Sequence, residues 1–532
     1  MSIDKSLIQE IHAINDSVHK NAAQYFHTRP LAVSKTGLVL PSKVKHPFEI
    51  EYDIKDLLLI GAITHSSVLM TGGTDTGKTT LAKLMMNSLF GKEEEGWHRI
   101  DVDTDFGKDT YTDVDFSKMI EGKKLSEGMY QAMGFLNLPG LIWDEINRSH
   151  SGLTAKLLHI FDRDISLPDG RRAKTGVSTE NGNTYQFQIA AINEGDDYTG
   201  TYQLDRALRR RTILEIPFDI FSLTAYDQLC IKKRGKREIA LENNIPHLDQ
   251  ILHIYKSVGK ALPLHPLAEM YASYLESFDY CKHSLTGEKG SIAARNGSIN
   301  HVCTQPLRLN GEELEGEENR MSCNLIKSLE GMCPYVRGIS AGVSKNFLAV
   351  ARGFALLRAT KFVEMLAGFQ QEINEKPLSY GLYQPERFTS SLQEYTGTRL
   401  TGKDLCRKTV DMYVENLEVE LEDINSALGF VGYSKIGMSG IWVSKHYQGN
   451  RFEAIRKFSA EAKKKFEEGL AAPELANVSA IFEDGLSEQE LRKIRGYCEG
   501  NNPWLWKVVE AYMVDTRMSS PSRKEVDIEA LY

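Results

Sequence analysis

The chain has 532 residues, 41% of them apolar and 26% charged, and a formal net charge of −8. That length is enough for more than one domain with its own core, and the acidic balance argues against a general nucleic-acid coat, leaving at most a local basic groove. Seven scattered cysteines argue against a disulfide framework and for a reducing compartment. With acids among residues 1–16 and no run of the ~18–20 apolar residues that a membrane span needs, a soluble cytoplasmic protein without membrane insertion is expected.

Residues 1–50 open with an amphipathic helix (Ile8, Ile11, Ile14, Val18) and continue as a Pro-punctuated extended arm over 31–47. Residues 54–66 read as a helix leading into a short apolar strand at 67–70. The next residues carry the first chemistry. Gly72, Gly77, Lys78 and Thr79 fit G-x-x-x-x-G-K-[ST] between that strand and an amphipathic helix, which is the phosphate-binding loop. Glycines let the backbone turn its N–H groups inward on phosphate oxygens, and the helix N-terminus adds its dipole. The expected cradle is Gly72, Gly73, Thr74, Asp75, Thr76, Gly77, Lys78, Thr79 and Thr80. Lys78 reaches the β- and γ-phosphates and the Thr79 hydroxyl takes a Mg²⁺ position. Asp75 departs from the ideal, since an acid there repels phosphate, and its side chain is expected to point out of the loop.

A second strand follows at 98–103, then a polar, glycine-containing stretch at 106–128 and a small helix at 129–136. The apolar strand Gly140-Leu-Ile-Trp ends in Asp144-Glu145, the second half of an ATPase site. Asp144 can hold Mg²⁺ through water, and Glu145 can act as general base on the attacking water. A helix at 152–162 leads to a hairpin signalled by Asp169-Gly170. The strand at 185–193 ends at Asn193, and a last strand at 213–217 follows the arginines of 206–211. Strands alternating with helices mean a parallel sheet with ligand at the strands' C-terminal ends, where Gly72, Asp144 and Asn193 would gather.

These residues resemble the AAA+ ATPases, within them the MoxR-like group that includes CbbQ and the gas-vesicle and cobalt-chelatase ATPases. The resemblance covers about residues 50–220. It is carried by the loop at 72–79, by Asp144-Glu-Ile-Asn-Arg148, by Ala191-Ile-Asn193 in the place of sensor 1, and by Tyr198-Thr-Gly-Thr-Tyr-Gln-Leu-Asp-Arg206 with the arginine run after it. It implies a three-layer αβα P-loop core followed by an α-helical lid and a mainly helical C-terminal region. It also implies ATP and Mg²⁺, an Asn193 that orients the attacking water, and an arginine finger within Arg209, Arg210 and Arg211, with Arg211 favoured and Arg210 next. A finger acting between subunits implies a ring, usually a hexamer. In this group two hairpins face the ring's pore; residues 106–128 and 165–184 match them in position, so Arg171, Arg172 and Lys174 become candidate client contacts. Gly342-Val-Ser-Lys345 stands where relatives often have Gly-x-Ser-x-Arg, which makes Lys345 the sensor 2 candidate, without arginine's bidentate fork.

The expected division is an arm at 1–50, an ATPase core at 51–218, a lid at 219–374 with an insertion at 281–333, and a helical region at 375–532 that includes amphipathic helices at 405–428 and 451–470. The insertion holds Cys281, His283, His301, Cys303, Cys323 and Cys333. Zinc is set aside because C-x-H and H-x-C are not the common ligand spacings. Trp504 and Trp506 are read as core packing before partner anchors. The leading functional expectation is an ATPase ring that remodels a partner protein, chaperone-like, with a client or a separately encoded von Willebrand factor A-domain protein. The alternatives are a McrB-like nucleic-acid motor using GTP or ATP and a nucleotide-gated scaffold with very slow turnover.

Overall fold

A computed structural model describes residues 5–21, 52–74, 76–102, 112–114, 130–148, 157–180, 182–193, 204, 206–221, 225–234, 246–277, 341–375, 385–436, 440–471 and 488–501, together with 505 and 509. Helix α1 (Lys5–Asn21) buries Ile8, Ile11, Ile14 and Val18, the stripe that the period of its sequence demands. Helix α2 (Ile54–Ile63) begins at a capping box: Asp53 accepts from the N–H groups of Lys55 and Asp56, and Asp56 returns a bond to the Asp53 N–H at 2.8 Å. It leads into β1 (Val68–Thr71), and the loop after β1 opens α3 (Lys78–Phe90).

Next come β2 (Trp97–Asp101), a hairpin of β3 (Thr112–Val114) and β4 (Tyr130–Ala132), and then β5 (Gly140–Asp144). Two further hairpins, β6 (Asp164–Ser166) with β7 (Arg172–Lys174) and β8 (Val177–Ser178) with β9 (Thr184–Tyr185), precede β10 (Phe187–Ala191). Helix α4 (Arg206–Arg211) and β11 (Leu214–Pro217) close the sheet. All five of its strands are parallel, in the order β11-β1-β10-β5-β2. Counted along the chain, that is fifth, first, fourth, third, second. Every residue of β1, β5, β10 and β11 is buried, as parallel strands covered on both faces must be. Leu141, Ile142 and Trp143 alone each contribute about 1.5–3 kcal/mol by leaving water. The α/β fold class with a helical C-terminal region is borne out.

Helices α5 (Ala225–Arg234), α6 (Leu248–Ala261), α7 (Pro266–Ser277) and the 35-residue α8 (Ala341–Glu375) follow. Then come α9 (Pro385–Thr396), α10 (Gly402–Glu415), α11 (Leu421–Lys435), α12 (Gly440–Tyr447), α13 (Arg451–Leu470) and α14 (Glu488–Asn501). Two compact units emerge: Met1–Pro263 with Ala349–Val431, and Leu264–Leu348 with Gly432–Tyr532. In the first, α8 lies so close to α2 that a Cβ on Gly353 would meet Thr64 Cγ2 at 2.7 Å, so only glycine fits there. Also within that unit, Arg358, 2% exposed, grips both carboxylate oxygens of Asp423 at 3.0 and 2.9 Å and the Glu418 carbonyl at 2.9 Å. The fully buried Asp56 receives Lys361 Nζ at 2.7 Å and lies 3.4 Å from His19 Nε2. In the second unit, Tyr271 and Tyr274 of α7 pack on Phe466 of α13 with ring centroids 5.2 and 5.4 Å apart.

Two expectations about elements are corrected. Residues 129–136 do not form a helix: Tyr130–Ala132 pairs antiparallel with Thr112–Val114, and a single 3₁₀ turn, Gly134–Asn137, follows. Cross-strand pairing outweighs the local helical pattern there. Residues 405–428 are two helices rather than one, because the chain breaks after Glu415 and Asp423 caps the new start by accepting from the Glu420 N–H at 2.9 Å. The stretch at 451–470 is the single helix expected.

The arm at 31–47, most of 106–128, Asp75, most of 198–205, the whole insertion at 281–333 with its cysteines and histidines, and Trp504 and Trp506 lie outside the described residues. So does the side chain of Lys345, although its backbone falls in α8. Among the described residues no helix is long and apolar enough to cross a membrane.

Candidate active site

The site is built where β1, β5 and β10 end. After Thr71 the chain passes Gly72 at φ 144° and reaches Gly77 at φ 86°, conformations that a side chain would strain. Gly77 caps α3 with no side-chain bond, so the first amides of the helix face the loop. Lys78 is buried. Its ammonium donates to the carbonyls of Gly72 at 2.9 Å and Gly73 at 2.5 Å and to Thr76 Oγ1 at 3.1 Å. Thr76 Oγ1 donates in turn to the Gly73 carbonyl at 2.9 Å, which tightens the loop. The loop is thus anchored by its own lysine.

Thr79, on the first turn of α3, donates its hydroxyl to Asp144 Oδ2 at 2.9 Å; Oδ1 lies at 3.2 Å. Asp144 is the last residue of β5, buried at 7% exposure. These are hard oxygen donors brought together at a strand end, a set that suits Mg²⁺ held by a hydroxyl and, through water, a carboxylate. The next residue, Glu145, sits at φ 52°, a conformation that costs a side-chain-bearing residue energy and turns the chain sharply at the strand end. Its Oε1 accepts from Asn193 Nδ2 at 3.0 Å, and its Oε2 lies 3.0 Å from Arg148 Nε. Asn147 Nδ2 donates to the Asn193 carbonyl at 2.9 Å, tying the ends of β5 and β10.

These groups line one cavity of about 480 Å³, with Thr74, Lys78, Thr79, Asp144, Glu145 and Asn193 on its walls; Thr76, Gly77 and Thr80 also line it. The size suits a nucleotide. Sequence reasoning placed these residues on one edge, and the structure brings them together. It missed Arg99. Carried on β2, that side chain lines the same cavity and lies 2.9 Å from Asp144 Oδ2.

The three arginines of α4 are not equivalent. Arg209 is engaged within the chain: its Nη2 and Nε lie 2.6 and 3.2 Å from Oε1 of the fully buried Glu215. Arg211 Nε donates to Asp162 at 2.8 Å. Arg210 is exposed, with no ion-pair partner among the described residues. On the hairpins, Arg171 pairs with Asp169 at 2.9 Å, Arg172 with Asp164 at 3.2 Å, and Lys174 donates to the Gly182 carbonyl at 3.0 Å. Arg171 and Arg172 fold onto their own hairpin, and Lys174 reaches the turn of the next one.

A parallel sheet in this order, a glycine loop feeding a helix, an acid pair ending the third strand and an asparagine ending the fourth define an AAA+-type P-loop core. Over 168 residues the chain is 32% identical to the protein MoxR of Paracoccus denitrificans, a match taking in 31% of this chain and 44% of MoxR. Over that stretch the core is similar to MoxR, and the chain spans less than half the length of that relative. A solved structure from Cytophaga hutchinsonii, described as a candidate ATPase, superposes at a TM-score of 0.43 with 14% identity, covering 85% of this chain and 96% of that one. Superposition that loose carries no functional weight. No protein-family model matches the chain.

Proposed function

We propose that this chain hydrolyses MgATP in the cavity between Lys78, Thr79, Asp144, Glu145 and Asn193, and that it does so in a ring, a hexamer in the leading form of the proposal, that remodels or assembles a partner protein. The observation that carries the reading is the double convergence on one cavity: Thr79 on Asp144, and Asn193 on Glu145. Lys78 and the loop amides would bind the β- and γ-phosphates, and Glu145 would take the proton of the attacking water while Asn193 holds its carboxylate in line. Mg²⁺, held by the Thr79 hydroxyl and through water by Asp144, would neutralise charge on the phosphates. Arg210, exposed while its neighbours are paired, is the better candidate for a finger reaching the next subunit's nucleotide, ahead of Arg211. The helices after residue 218 would serve as lid, with Lys345 as its phosphate sensor, and the cell compartment would be the cytoplasm.

The test is specific nucleotide hydrolysis against protein concentration, with ATP and GTP compared and particle mass measured alongside. Mg²⁺-dependent ATP turnover per subunit that rises with concentration as larger particles form supports shared sites in a ring. A preference for GTP with salt-sensitive DNA binding would replace the reading with a nucleic-acid motor. Stable ATP-bound rings with negligible turnover would replace it with a nucleotide-gated scaffold.

A further inference from the structure

One cation already stands at the metal position. In the parallel register Asp101 of β2 lies beside Asp144 of β5, and Arg99, two residues back, reaches along the strand to both. Its Nη2 is 2.5 Å from Asp101 Oδ1 and 2.9 Å from Asp144 Oδ2. That second oxygen is the one that accepts the Thr79 hydroxyl, also at 2.9 Å. The two carboxylates differ in their surroundings. The Asp144 side chain is 10% exposed and that of Asp101 is 71% exposed, so the guanidinium bridges a desolvated acid and a solvated one.

The manner of holding differs from a structural clamp. Arg358 meets Asp423 through two nitrogens and both carboxylate oxygens, the fork geometry that fixes an arginine. Arg99 makes its closest approach to both acids through the same terminal nitrogen, and its Nε is buried with no hydrogen-bond partner. A side chain held at one point between two acids has two resting places separated by a small movement.

We propose that Arg99 is a built-in counter-cation for the metal position: it neutralises Asp144 until Mg²⁺ arrives, then shifts its hold to Asp101 as the metal takes the Thr79–Asp144 pair. This rests on the MgATP reading above. Arg99 is therefore a positioning residue that sets how much Mg²⁺ the site needs, and Asp101 is the receiving acid that makes the shift inexpensive. Asp144 keeps a cation beside it in both states, first the guanidinium and then the metal.

The experiment titrates Mg²⁺ against the full chain at a fixed concentration of a fluorescent, non-hydrolysable ATP analogue and reads the Mg²⁺ concentration at half-saturation. Arg99→Ala removes the competitor and is expected to lower that concentration by about threefold or more, the scale of a part-exposed ion pair. Asp101→Asn removes the receiving acid and is expected to raise it by a similar factor. A folding defect would move both variants the same way, so the opposite signs carry the test, and melting temperatures are recorded for each. Unchanged half-saturation in both variants, or a shift of the same sign, overturns the inference. So does an Arg99→Ala variant that loses analogue affinity in EDTA while keeping the wild-type Mg²⁺ midpoint, which would make Arg99 a phosphate ligand. If the wild-type chain shows no Mg²⁺-dependent binding of the analogue at all, the MgATP reading falls and takes this inference with it; if it binds and only the variants fail to move, the inference falls alone.

Discussion

Asn193 donates to Glu145 Oε1 at 3.0 Å, a contact between residues 48 apart in sequence that joins the ends of β10 and β5. The bond has a direction that matters. An amide donor on one carboxylate oxygen fixes the orientation of the group and leaves the other oxygen for a further partner. It also restrains a residue whose backbone already sits at φ 52°, so the carboxylate enters the cavity from a fixed place. Glu145→Gln is expected to keep ATP binding and to lower turnover by about 10²–10⁴-fold, the usual range for losing a positioned base. Asn193→Ala is expected to lower kcat with little change in nucleotide affinity, because the Glu145 carboxylate remains but is no longer aimed. Equilibrium binding of ATP and single-turnover hydrolysis on the same samples separate the two effects. A Glu145→Gln variant that turns over at the wild-type rate would remove Glu145 from the base position.

Lys78→Ala addresses binding itself. In the proposed reading the buried ammonium would meet the phosphates, and in the structure it ties the carbonyls of Gly72 and Gly73. Its loss is expected to abolish the rise in melting temperature that ATP produces in the wild-type chain, since ligand stabilisation disappears with affinity. The melting temperature without nucleotide is expected to fall slightly, from the lost loop bonds.

The arginine run makes a prediction with three different outcomes from three adjacent residues. Arg209→Ala strands Glu215, a fully buried carboxylate, without its guanidinium. Breaking a fully buried pair costs about 3–5 kcal/mol, and because Arg209 keeps some exposure the expected loss of stability is about 2–3 kcal/mol. Arg210→Ala is expected to leave the melting temperature unchanged and to cut ring-dependent turnover by about 10³-fold or more, the scale of a finger acting between subunits. Arg211→Ala, which releases Asp162, is expected to cost under about 1 kcal/mol and to reduce turnover less than Arg210→Ala. Paired melting and hydrolysis measurements on the three variants check the assignment. Equal losses of turnover at 210 and 211 without loss of stability would return Arg211 to the finger position.

The parts of this site that were readable in the sequence are those whose chemistry demands particular residue types at a strand end. Gly72, Gly77, Lys78 and Thr79 are spaced by the turn they must make, and Asp144, Glu145 and Asn193 each follow an apolar run that can only be a covered strand. Arg99 offered no such pattern, because its partner Asp144 becomes its neighbour only through the parallel pairing of β2 with β5. The difference between Arg209, Arg210 and Arg211 was hidden for the same reason: it depends on Glu215 and Asp162, which the fold brings up from other elements. The break between α10 and α11 likewise follows from Asp423, which caps the new helix while Arg358 of α8 holds it. Local patterns give elements and strand-end chemistry; pairings between distant charges come only with the topology.

His65 supplies a pH prediction. Its ring packs against Tyr185 and Tyr255 with centroids 4.9 and 5.0 Å apart, and its Nε2 accepts the Gln186 N–H at 3.0 Å. Beside it the half-buried Arg163 donates to the His65 carbonyl at 3.3 Å and to the Gln186 carbonyl at 3.1 Å. Burial first, and then the Arg163 charge, hold the imidazole well below its ordinary value of 6.5. The sign follows from where the proton goes. Below about pH 6.5 the unfolded chain protonates this histidine while the folded chain does not, so the unfolded state binds more protons and stability falls as pH falls toward the depressed native value. Above pH 6.5 the contribution is fully present. The buried Asp56 also has a lowered pKa: burial raises it, but Lys361 and His19 outweigh that. Its stabilisation is lost as the pH falls through its lowered native value, below the ordinary 3.8, which lies under the pH 7 to pH 5 range used for the histidine. His65→Gln keeps an acceptor for the Gln186 N–H and removes the titrating group. The variant is expected to lose less stability than the wild-type chain between pH 7 and pH 5, by up to about 1.4 kcal/mol per pH unit of the window. Chemical denaturation across that range measures it, and parallel stability curves for the two proteins would show that His65 is not the group responsible.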